Sequence, residues 1–255
     1  MCIRDSASTD DSIKQISSLV AEEARFELIL NAANVGFAAA NNQVLRSLKH
    51  DYAVLMNPDC ELRDNTLDHI LNVLADNESI GIASCRILNA DGSVQKTCKR
   101  RFPTPKTAVI RMLGLNRFFS HENFDYGDQP QHTEAKELEK LEAVSGAFMV
   151  VRKSAMQKVG LLDEAYFMHC EDLDWCKRFQ MAGWDIGFVG TVDVLHAKGV
   201  SSKARPIGVL WNLHCGMDRF FTKFYTHTSW PLKYLVKTGI YLSFLPRALV
   251  SLLPR

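Results

Sequence analysis

The order of apolar and polar residues predicts alternating helices and strands over the first third of the chain. Helical spacing of apolar positions occurs in three stretches, residues 13–22, 38–48 and 67–74. Short apolar runs of strand length alternate with them, at residues 26–30, 52–56 and 80–84. Residues 1–12 show no such pattern, and no element is predicted there. Because alternating helices and strands build a doubly wound sheet, we predict an α/β fold with a Rossmann-like, mostly parallel sheet flanked by helices.

The second half of the chain is less regular and ends in a tail of different texture. Residues 89–119 mix glycine, proline and basic residues, and residues 121–132 are polar and turn-rich, which predicts a mobile loop. Further strands are predicted at residues 143–152, 186–189 and 192–195, and further helices at residues 154–160 and 171–181. From Trp211 onward aromatic, basic and apolar residues intermingle. We therefore divide the chain into an α/β domain, residues 1–205, and a C-terminal amphipathic helical tail, residues 206–255.

Composition removes several classes of protein. Lys and Arg total 30 against 29 Asp and Glu, so no overall positive charge points to nucleic acid. The seven cysteines are an odd number and form no CxxC pair, which disfavours a disulfide framework or a structural zinc site and favours a reducing cytosol. The sequence contains no secretory signal and no run of about 18 uncharged apolar residues. We expect a cytoplasmic protein.

The tripeptide Asn57-Pro58-Asp59 directly follows the predicted strand 52–56. In an open parallel sheet, ligands bind beyond the carboxyl ends of the strands. A carboxylate there can hold Mg²⁺ or Mn²⁺, and the cation in turn binds a diphosphate. The same tripeptide is also a good turn, so both interpretations stay open at this point.

Three acids, Glu171, Asp172 and Asp174, stand at the start of the predicted helix 171–181. A hydroxyl that attacks a sugar carbon needs a general base within hydrogen-bond reach, and a carboxylate can serve. Acids in a first helical turn also complement the helix dipole and cap free N–H groups. Either role accounts for them.

Two further polar positions are candidates for binding. His196 follows an apolar run and is either a structural histidine or a metal ligand at a strand end. The segment Asn34-Val35-Gly36-Phe37, followed by Asn41 and Asn42, is either a tight strand-to-helix turn or a nucleotide contact. No GxGxxG, Walker or HExxH motif occurs, which removes dinucleotide, P-loop and zincin readings.

Taken together and in order, these stretches resemble family 2 glycosyltransferases of the GT-A fold, in their rhamnosyltransferase-like branch. The likeness runs from about Ser6 to about Ser202. The matching stretches, completed by Gly183-Trp184 and His196, are Ser6-Ala7-Ser8-Thr9-Asp10, Asn34-Val35-Gly36-Phe37-Ala38-Ala39-Ala40-Asn41-Asn42, Leu55-Met56-Asn57-Pro58-Asp59, Asp91-Gly92-Ser93-Val94-Gln95, Arg101-Phe102-Pro103-Thr104, Val144-Ser145-Gly146-Ala147-Phe148-Met149 and Phe167-Met168-His169-Cys170-Glu171-Asp172-Leu173-Asp174.

The resemblance implies a role for each matched residue. Asp59 and His196 would bind Mg²⁺ or Mn²⁺, Asp172 would be the catalytic base, and Glu171 beside it would shape the acceptor site. The implied donor-binding residues are Asp5, Asp10, Asn34, Gly36, Asn41 and Asn57. The implied acceptor-binding residues are Ser145, Gly146, Ala147 and Asp174. The branch implies an inverting transfer of rhamnose from dTDP-rhamnose to a glycan or polyprenyl-linked glycan acceptor of cell-surface polysaccharide.

The chain departs from the family pattern at its start, because members normally have a strand and a helix before the segment that resembles Ser6–Asp10. We expect a truncated N-terminus and a nucleotide pocket that lacks part of its floor. This departure keeps open a non-catalytic binding protein, and the metal residues alone would also suit a sugar-nucleotide hydrolase. Cationic and aromatic residues in the tail suit either a helix on the inner face of the cytoplasmic membrane or helices packed on the domain itself.

Overall fold

The computed structural model describes residues 1–112, 136–196 and 206–251, so the predicted loop at 121–132 lies outside the described residues. The described strands are β1 Cys2–Ser6, β2 Glu27–Asn31, β3 Tyr52–Met56, β4 Cys60–Leu62, β5 Ile80–Leu88, β6 Lys99–Arg100, β7 Glu139–Leu141, β8 Ala143–Val144, β9 Phe148–Arg152 and β10 Asp185–His196. The described helices are α1 Ser12–Glu22, α2 Phe37–Leu45, α3 Thr66–Asp76, α4 Pro105–Met112, α5 Lys153–Val159, α6 Glu171–Met181, α7 Pro206–Phe224, α8 Trp230–Leu242 and α9 Phe244–Ser251.

The α/β prediction is confirmed, with a central sheet that is mixed. Its strands follow the order β3-β9-β5-β10-β4, and β7 also pairs with β10. Within this sheet β5 and β10 pair in parallel, whereas β9 runs antiparallel to both β3 and β5. The sheet is therefore less parallel than the alternation of elements predicted, because an apolar run marks a strand but not its direction. Two smaller sheets join β1 to β2 in parallel and β6 to β8 antiparallel.

Several elements match the prediction and others correct it. Strand β3 and helix α6 begin and end at the predicted residues. The unpredicted strand β1 exists because it pairs residue by residue with β2. The stretch 143–152, predicted as one strand, forms two strands, β8 and β9, separated by Ser145–Ala147. The stretches 186–189 and 192–195, predicted as two strands, belong to the single strand β10, whose register with β5 shifts between Val189 and Asp193.

The core of the domain lies around the central strands of the mixed sheet. Strand β5 is buried along nearly its whole length, and β9 and the first half of β10 are also buried. Helices α3 and α6 both contact β5 and β10. On α6, the buried rings of Trp175 and Phe179 meet edge to face at 5.4 Å. Burial of these apolar faces fixes where the strands end, and the candidate site lies at those ends.

The tail helices combine a buried face with a large exposed apolar surface. Helix α7 packs on the domain through Met217, Phe220 and Phe221, which are all buried. Helix α8 contacts α4 and α7, and α9 contacts α7. In the described ranges, the helices are too short or too polar for any of them to cross a membrane.

Candidate active site

The turn after β3 places the first candidate ligand. The Cys60 amide donates to the carbonyl of Asn57 at 3.1 Å, which closes the turn over Pro58 and Asp59. The Asn57 amide donates to the carbonyl of Ala147 at 2.9 Å and ties the turn to the segment before β9. The Asp59 side chain keeps 30% of its surface exposed, so its carboxylate is accessible to a ligand.

His196 ends β10 and lies beside this turn. It pairs with Cys60 in the antiparallel register of β10 and β4, and its Nε2 lies 3.1 Å from Oδ1 of Asp59. The Asn57 side-chain nitrogen lies 3.5 Å from the same Nε2. The structure thus brings together the two predicted metal ligands, Asp59 and His196, and the predicted donor-binding residue Asn57.

Gln95 fixes the orientation of His196. It is buried, and its Nε2 donates to the carbonyl of His196 at 2.9 Å. Its Oε1 lies 3.3 Å from Nδ1 of the imidazole. This contact suits the tautomer with the proton on Nδ1, which leaves the Nε2 lone pair directed at the side of Asp59.

The donor set fits a hard divalent cation. One ligand atom from each of Asp59, Cys60 and His196 can lie within 4.8 Å of the others. Burial first, and the nearby Asp59 second, raise the pKa of the Cys60 thiol to about 11, and its Sγ donates to the Ala147 carbonyl at 3.4 Å. Mg²⁺ and Mn²⁺ are hard cations that prefer oxygen ligands to sulfur, which leaves the Asp59 carboxylate and the His196 imidazole as the candidate donors. Mg²⁺ and Mn²⁺ can bind to one or two protein ligands and complete their coordination with phosphate oxygens of a substrate.

The candidate base Asp172 is the second residue of α6 and is buried. Its Oδ2 accepts hydrogen bonds from the Gly146 amide at 3.0 Å and from Arg100, with which it forms a partly buried ion pair. Burial is the largest influence on the pKa of Arg100 and lowers it, but the charge and hydrogen bond of Asp172, together with contributions from Cys170 and Glu171, outweigh burial, and the net shift is upward. The guanidinium therefore stays charged and holds the carboxylate on the side of Ser145–Ala147.

Glu171, directly before the base, is buried, and one of its carboxyl oxygens lacks a hydrogen-bond partner within the described ranges. Its Oε2 has no hydrogen-bond partner among the described residues. Burial first, and the neighbouring Asp172 second, raise the pKa of Glu171 to about 8. At neutral pH the Glu171 carboxyl is therefore largely protonated, which limits the negative charge beside Asp172.

Residues Ser145–Ala147 connect the two groups of side chains. The Gly146 amide binds Asp172, and the next residue, Ala147, accepts from the Asn57 amide. A side chain at Gly146 would place its Cβ 3.3 Å from the Cβ of Asp172, a tight contact. The Ser145 hydroxyl accepts from the Ala147 amide at 3.3 Å. This segment therefore sets the spacing between the metal residues and the base.

The predicted donor-binding residues other than Asn57 lie elsewhere and bond mainly to the backbone. The Asn34 side chain accepts a hydrogen bond from the Gly36 amide at 3.0 Å, and the side-chain oxygen of Asn41 accepts one from the Arg4 guanidinium at 2.6 Å. Asp5 is buried and accepts from the Ser8 amide at 3.0 Å. Asp10 is exposed and accepts from the Ser12 amide at 3.1 Å; the Ser12 hydrogen bonds lower the pKa of its carboxyl. Their contact with a donor stays a prediction.

Asp174, predicted to bind the acceptor, has its oxygens occupied by other residues. It is fully buried, and Oδ1 accepts from Arg178 at 2.6 Å. Its Oδ2 accepts from Lys223 on α7 at 2.6 Å and from the Tyr166 hydroxyl at 3.2 Å. These contacts join α6 to α7, and acceptor binding by Asp174 stays a prediction.

Two residues around the site were missed as functional from the sequence, Arg100 and Gln95. Arg100 lies in the basic run Lys99-Arg100-Arg101, and Gln95 ends the stretch Asp91–Gln95. Neither position carried a local signal for its partner, because Arg100 lies 72 residues before Asp172 and Gln95 lies 101 residues before His196.

Comparisons with known proteins show which proteins the chain resembles. The chain is 25% identical over 93% of its length to the N-acetylglucosaminyl-diphospho-decaprenol L-rhamnosyltransferase of Mycobacterium tuberculosis, of which it covers 80%. It is 25% identical to the rhamnosyltransferase WbbL of Escherichia coli over 63% of its own length and 60% of that protein. Its fold is similar to that of GalNAc-T7, solved with UDP, GalNAc and Mn²⁺, with a TM-score of 0.57 and 14% identity over 86% of this chain and 43% of that one.

The family model of glycosyl transferase family 2 matches residues 1–160, well over half of the 255-residue chain. The match includes the turn with Asp59 and the segment Ser145–Ala147, and the structural likeness places the fold in the GT-A class. The chain belongs to glycosyl transferase family 2 and resembles its rhamnosyltransferases.

Proposed function

We propose that this chain is an inverting, metal-dependent glycosyltransferase that moves rhamnose from dTDP-rhamnose to a polyprenyl-linked glycan. The observation that carries the proposal is the pair of polar groups on either side of Ser145–Ala147. One group, Asp59 with His196, suits a cation that binds a diphosphate. The other, Asp172, is a buried carboxylate suited to remove a proton.

The reaction follows from this arrangement. Asp59 and His196 would hold the cation, which neutralises charge on the departing nucleoside diphosphate. Asp172 accepts the proton of the acceptor hydroxyl while the oxygen of that hydroxyl forms a bond to the anomeric carbon. The bond from that carbon to the diphosphate oxygen breaks with its electron pair leaving on the diphosphate. A single displacement of this kind inverts the anomeric configuration.

Arg100 and Glu171 prepare the acceptor side for this step. The ion pair with Arg100 fixes the Asp172 carboxylate, so the base does not rotate away from the acceptor. A largely protonated Glu171 adds little charge beside the base, and its buried Oε2, unpartnered in the described part of the chain, would reach an acceptor oxygen only if acceptor binding turns the side chain. In that case the two adjacent acids act as base and as hydrogen-bond donor.

The names of the relatives support rhamnose and a lipid-linked acceptor, and dTDP as the carrier of rhamnose follows from the resemblance to the rhamnosyltransferase-like branch. Both relatives are rhamnosyltransferases by name, and the one from M. tuberculosis acts on a diphospho-decaprenol. An acceptor anchored in lipid requires the enzyme to work at a membrane surface, on its cytoplasmic side.

The exposed surface of the tail suits such a membrane. Trp230 and Tyr234 on α8, and Leu249 on α9, each expose about 70% of their surface. Residues 229–251 contain Lys233, Lys237 and Arg247 but no acidic residue. Lys237 pairs with Asp218 on α7 at 2.9 Å. An aromatic and aliphatic surface that carries cations is typical of helices in the headgroup region of an anionic bilayer.

A calorimetric titration with dTDP and UDP, with and without Mn²⁺, tests the donor side. We expect metal-dependent binding, tighter for dTDP, that disappears in Asp59→Ala. Absence of binding at millimolar nucleotide would contradict the proposal. Cosedimentation with vesicles of phosphatidylglycerol and phosphatidylcholine tests the tail, because binding should fall strongly in Trp230→Ser/Leu249→Ser and be weaker on neutral vesicles.

A further inference from the structure

The turn Phe167–Cys170, which leads into the base-carrying helix α6, adopts a strained backbone. His169 has φ of 71° and Cys170 has φ of 68°, and neither is glycine. The left-handed region is costly for residues with a side chain, and two such residues in succession persist only where surrounding structure enforces them. Cys170 is also the N-cap residue of α6, two positions before Asp172. The conformation of this turn therefore determines where the base points.

A glycine contact from the tail holds this turn. Gly216 lies inside the 19-residue helix α7, and a Cβ there would meet the carbonyl oxygen of His169 at 2.7 Å. The same Cβ would lie 3.3 Å from both the Cβ and the Sγ of Cys170. Glycine is a poor helix former, so its place within α7 is explained by this close approach of helix and turn.

A second glycine holds the turn at its other end. Gly36, with φ of 84°, begins α2, and a Cβ there would lie 2.5 Å from the carbonyl oxygen of Phe167. The next amide, that of Phe37, donates to the same oxygen at 2.9 Å. The turn thus lies between the N-terminus of α2 and the middle of α7.

An ion pair adds a third contact between α7 and the base-carrying helix. Lys223, seven residues after Gly216, reaches Oδ2 of Asp174 at 2.6 Å and Oδ2 of Asp163 at 2.8 Å. Asp174 is fully buried, and the cations of Lys223 and Arg178 compensate its carboxylate there. Helix α7 consequently contacts α6 both just before and just after Asp172.

We infer that helix α7 positions the catalytic base, with Gly216 and Lys223 as positioning residues that hold the turn Phe167–Cys170 and helix α6 in place. The inference rests on the proposed function for its effect on catalysis. The tail is thereby part of the acceptor side of the active site as well as a candidate membrane surface, although α7 donates no group to the reaction.

The substitution Gly216→Ala tests this, with Gly208→Ala as a matched control. Gly208 lies in the same helix, and a Cβ there would meet nothing within 4 Å. We expect Gly216→Ala to lower kcat about tenfold and to leave the donor KM within about twofold, because the metal residues lie on the sheet. Gly208→Ala should retain wild-type kcat. Equal kcat in all three proteins would overturn the inference.

Hydrogen exchange read by NMR tests the same point without any catalysis. The Phe37 amide bonds to the turn itself, and the Gly146 amide bonds to the Asp172 carboxylate. Both amides should exchange at least tenfold faster in Gly216→Ala than in Gly208→Ala, while the Ala83 amide in β5 stays as slow as in the wild type. Unchanged exchange at Phe37 and Gly146 would overturn the inference.

Two outcomes need a separate reading. If the Ala83 amide also exchanges fast, Gly216→Ala has unfolded the domain, and Lys223→Gln is used as the test variant instead. Faster exchange confined to the Gly146 and Phe37 amides of Lys223→Gln supports the inference. Unchanged exchange at both amides overturns it. If the wild type transfers no sugar, the proposed function fails, while the exchange rates still decide whether α7 holds the turn.

Discussion

The two halves of the candidate site are held in different ways. Asp59 and His196 stand at strand ends, where the pairing of β10 with β4 and the turn after β3 fix their backbone. Asp172 stands in the first turn of a helix, after two residues in a left-handed conformation, and depends on contacts from Arg100 and Gly146. The metal half is therefore built by sheet register, and the base half by tertiary contacts.

This difference predicts how each half responds to change. Sheet register is strongly specified where strands are buried, so the metal half should tolerate substitutions outside its own side chains. A turn held by packing can shift when a distant contact changes, and small shifts of a general base cost much of the rate. The base half should therefore be the more sensitive to distant substitutions, and variants in each half can test that.

Asp172→Asn should have the largest effect. The amide cannot accept the acceptor's proton, and we expect kcat to fall by about 10³-fold, within the range of general-base contributions. Donor binding should be unchanged because the metal half is intact. Initial rates of transfer together with calorimetry check both statements. Continued release of free nucleotide at the wild-type rate would instead indicate a hydrolase.

Asp59→Ala should affect the other half in the opposite pattern. Loss of the carboxylate leaves a histidine as the remaining candidate ligand, so metal-dependent nucleotide binding should weaken by about 100-fold or more. The amide exchange of Gly146 should stay at its wild-type rate, since its partner is Asp172. Faster exchange at Gly146 would show that the two halves are not held independently.

Gln95→Leu should give a smaller effect within the metal half. The substitution removes the acceptor that faces Nδ1 of His196 and keeps the side chain similar in size. Loss of such an outer partner costs roughly 10- to 100-fold in metal affinity. Mn²⁺ titration of the variant measures the loss. Wild-type affinity would mean that the sheet alone orients the imidazole.

The same division separates what could be predicted from the sequence. The strand Tyr52–Met56 and the helix Glu171–Met181 were correct to the residue, because apolar period and helix-stop residues are local signals. The turn at Asn57–Asp59 and the acids at Glu171 and Asp172 were found where they lie for the same reason. Local chemistry thus marked these residues as candidates, and the resemblance to family 2 glycosyltransferases gave each of them its predicted role.

Tertiary contacts carry no such local signal. Strand β1 mixes polar and apolar residues without a strand-like alternation and forms because it pairs with β2, so the sequence pattern did not predict it. The direction of β9 depends on the path of the preceding chain, which led us to expect a more parallel sheet. The ion pairs of Arg100 with Asp172 and of Lys223 with Asp174 each join residues far apart in sequence. These contacts hold the base half, which is why that half was the less predictable.

Glu171→Gln should change stability rather than donor or metal binding, and its effect should depend on pH. The folded-state pKa of Glu171 is about 8, against an ordinary value of 4.5, so the folded protein binds the proton more tightly than the unfolded chain does. The stability this provides is fully present below about pH 4.5 and is lost as pH rises towards 8. A glutamine cannot ionise, so the unfolding temperature of the variant should change less than that of the wild type between these two values, and the variant should be the more stable near pH 8. Thermal unfolding across that range measures the difference, and Glu164→Gln, which alters an exposed acid in a surface ion pair, is the control. If both variants follow the wild-type curve, Glu171 is ionised in the folded protein, and the base half carries two negative charges rather than one.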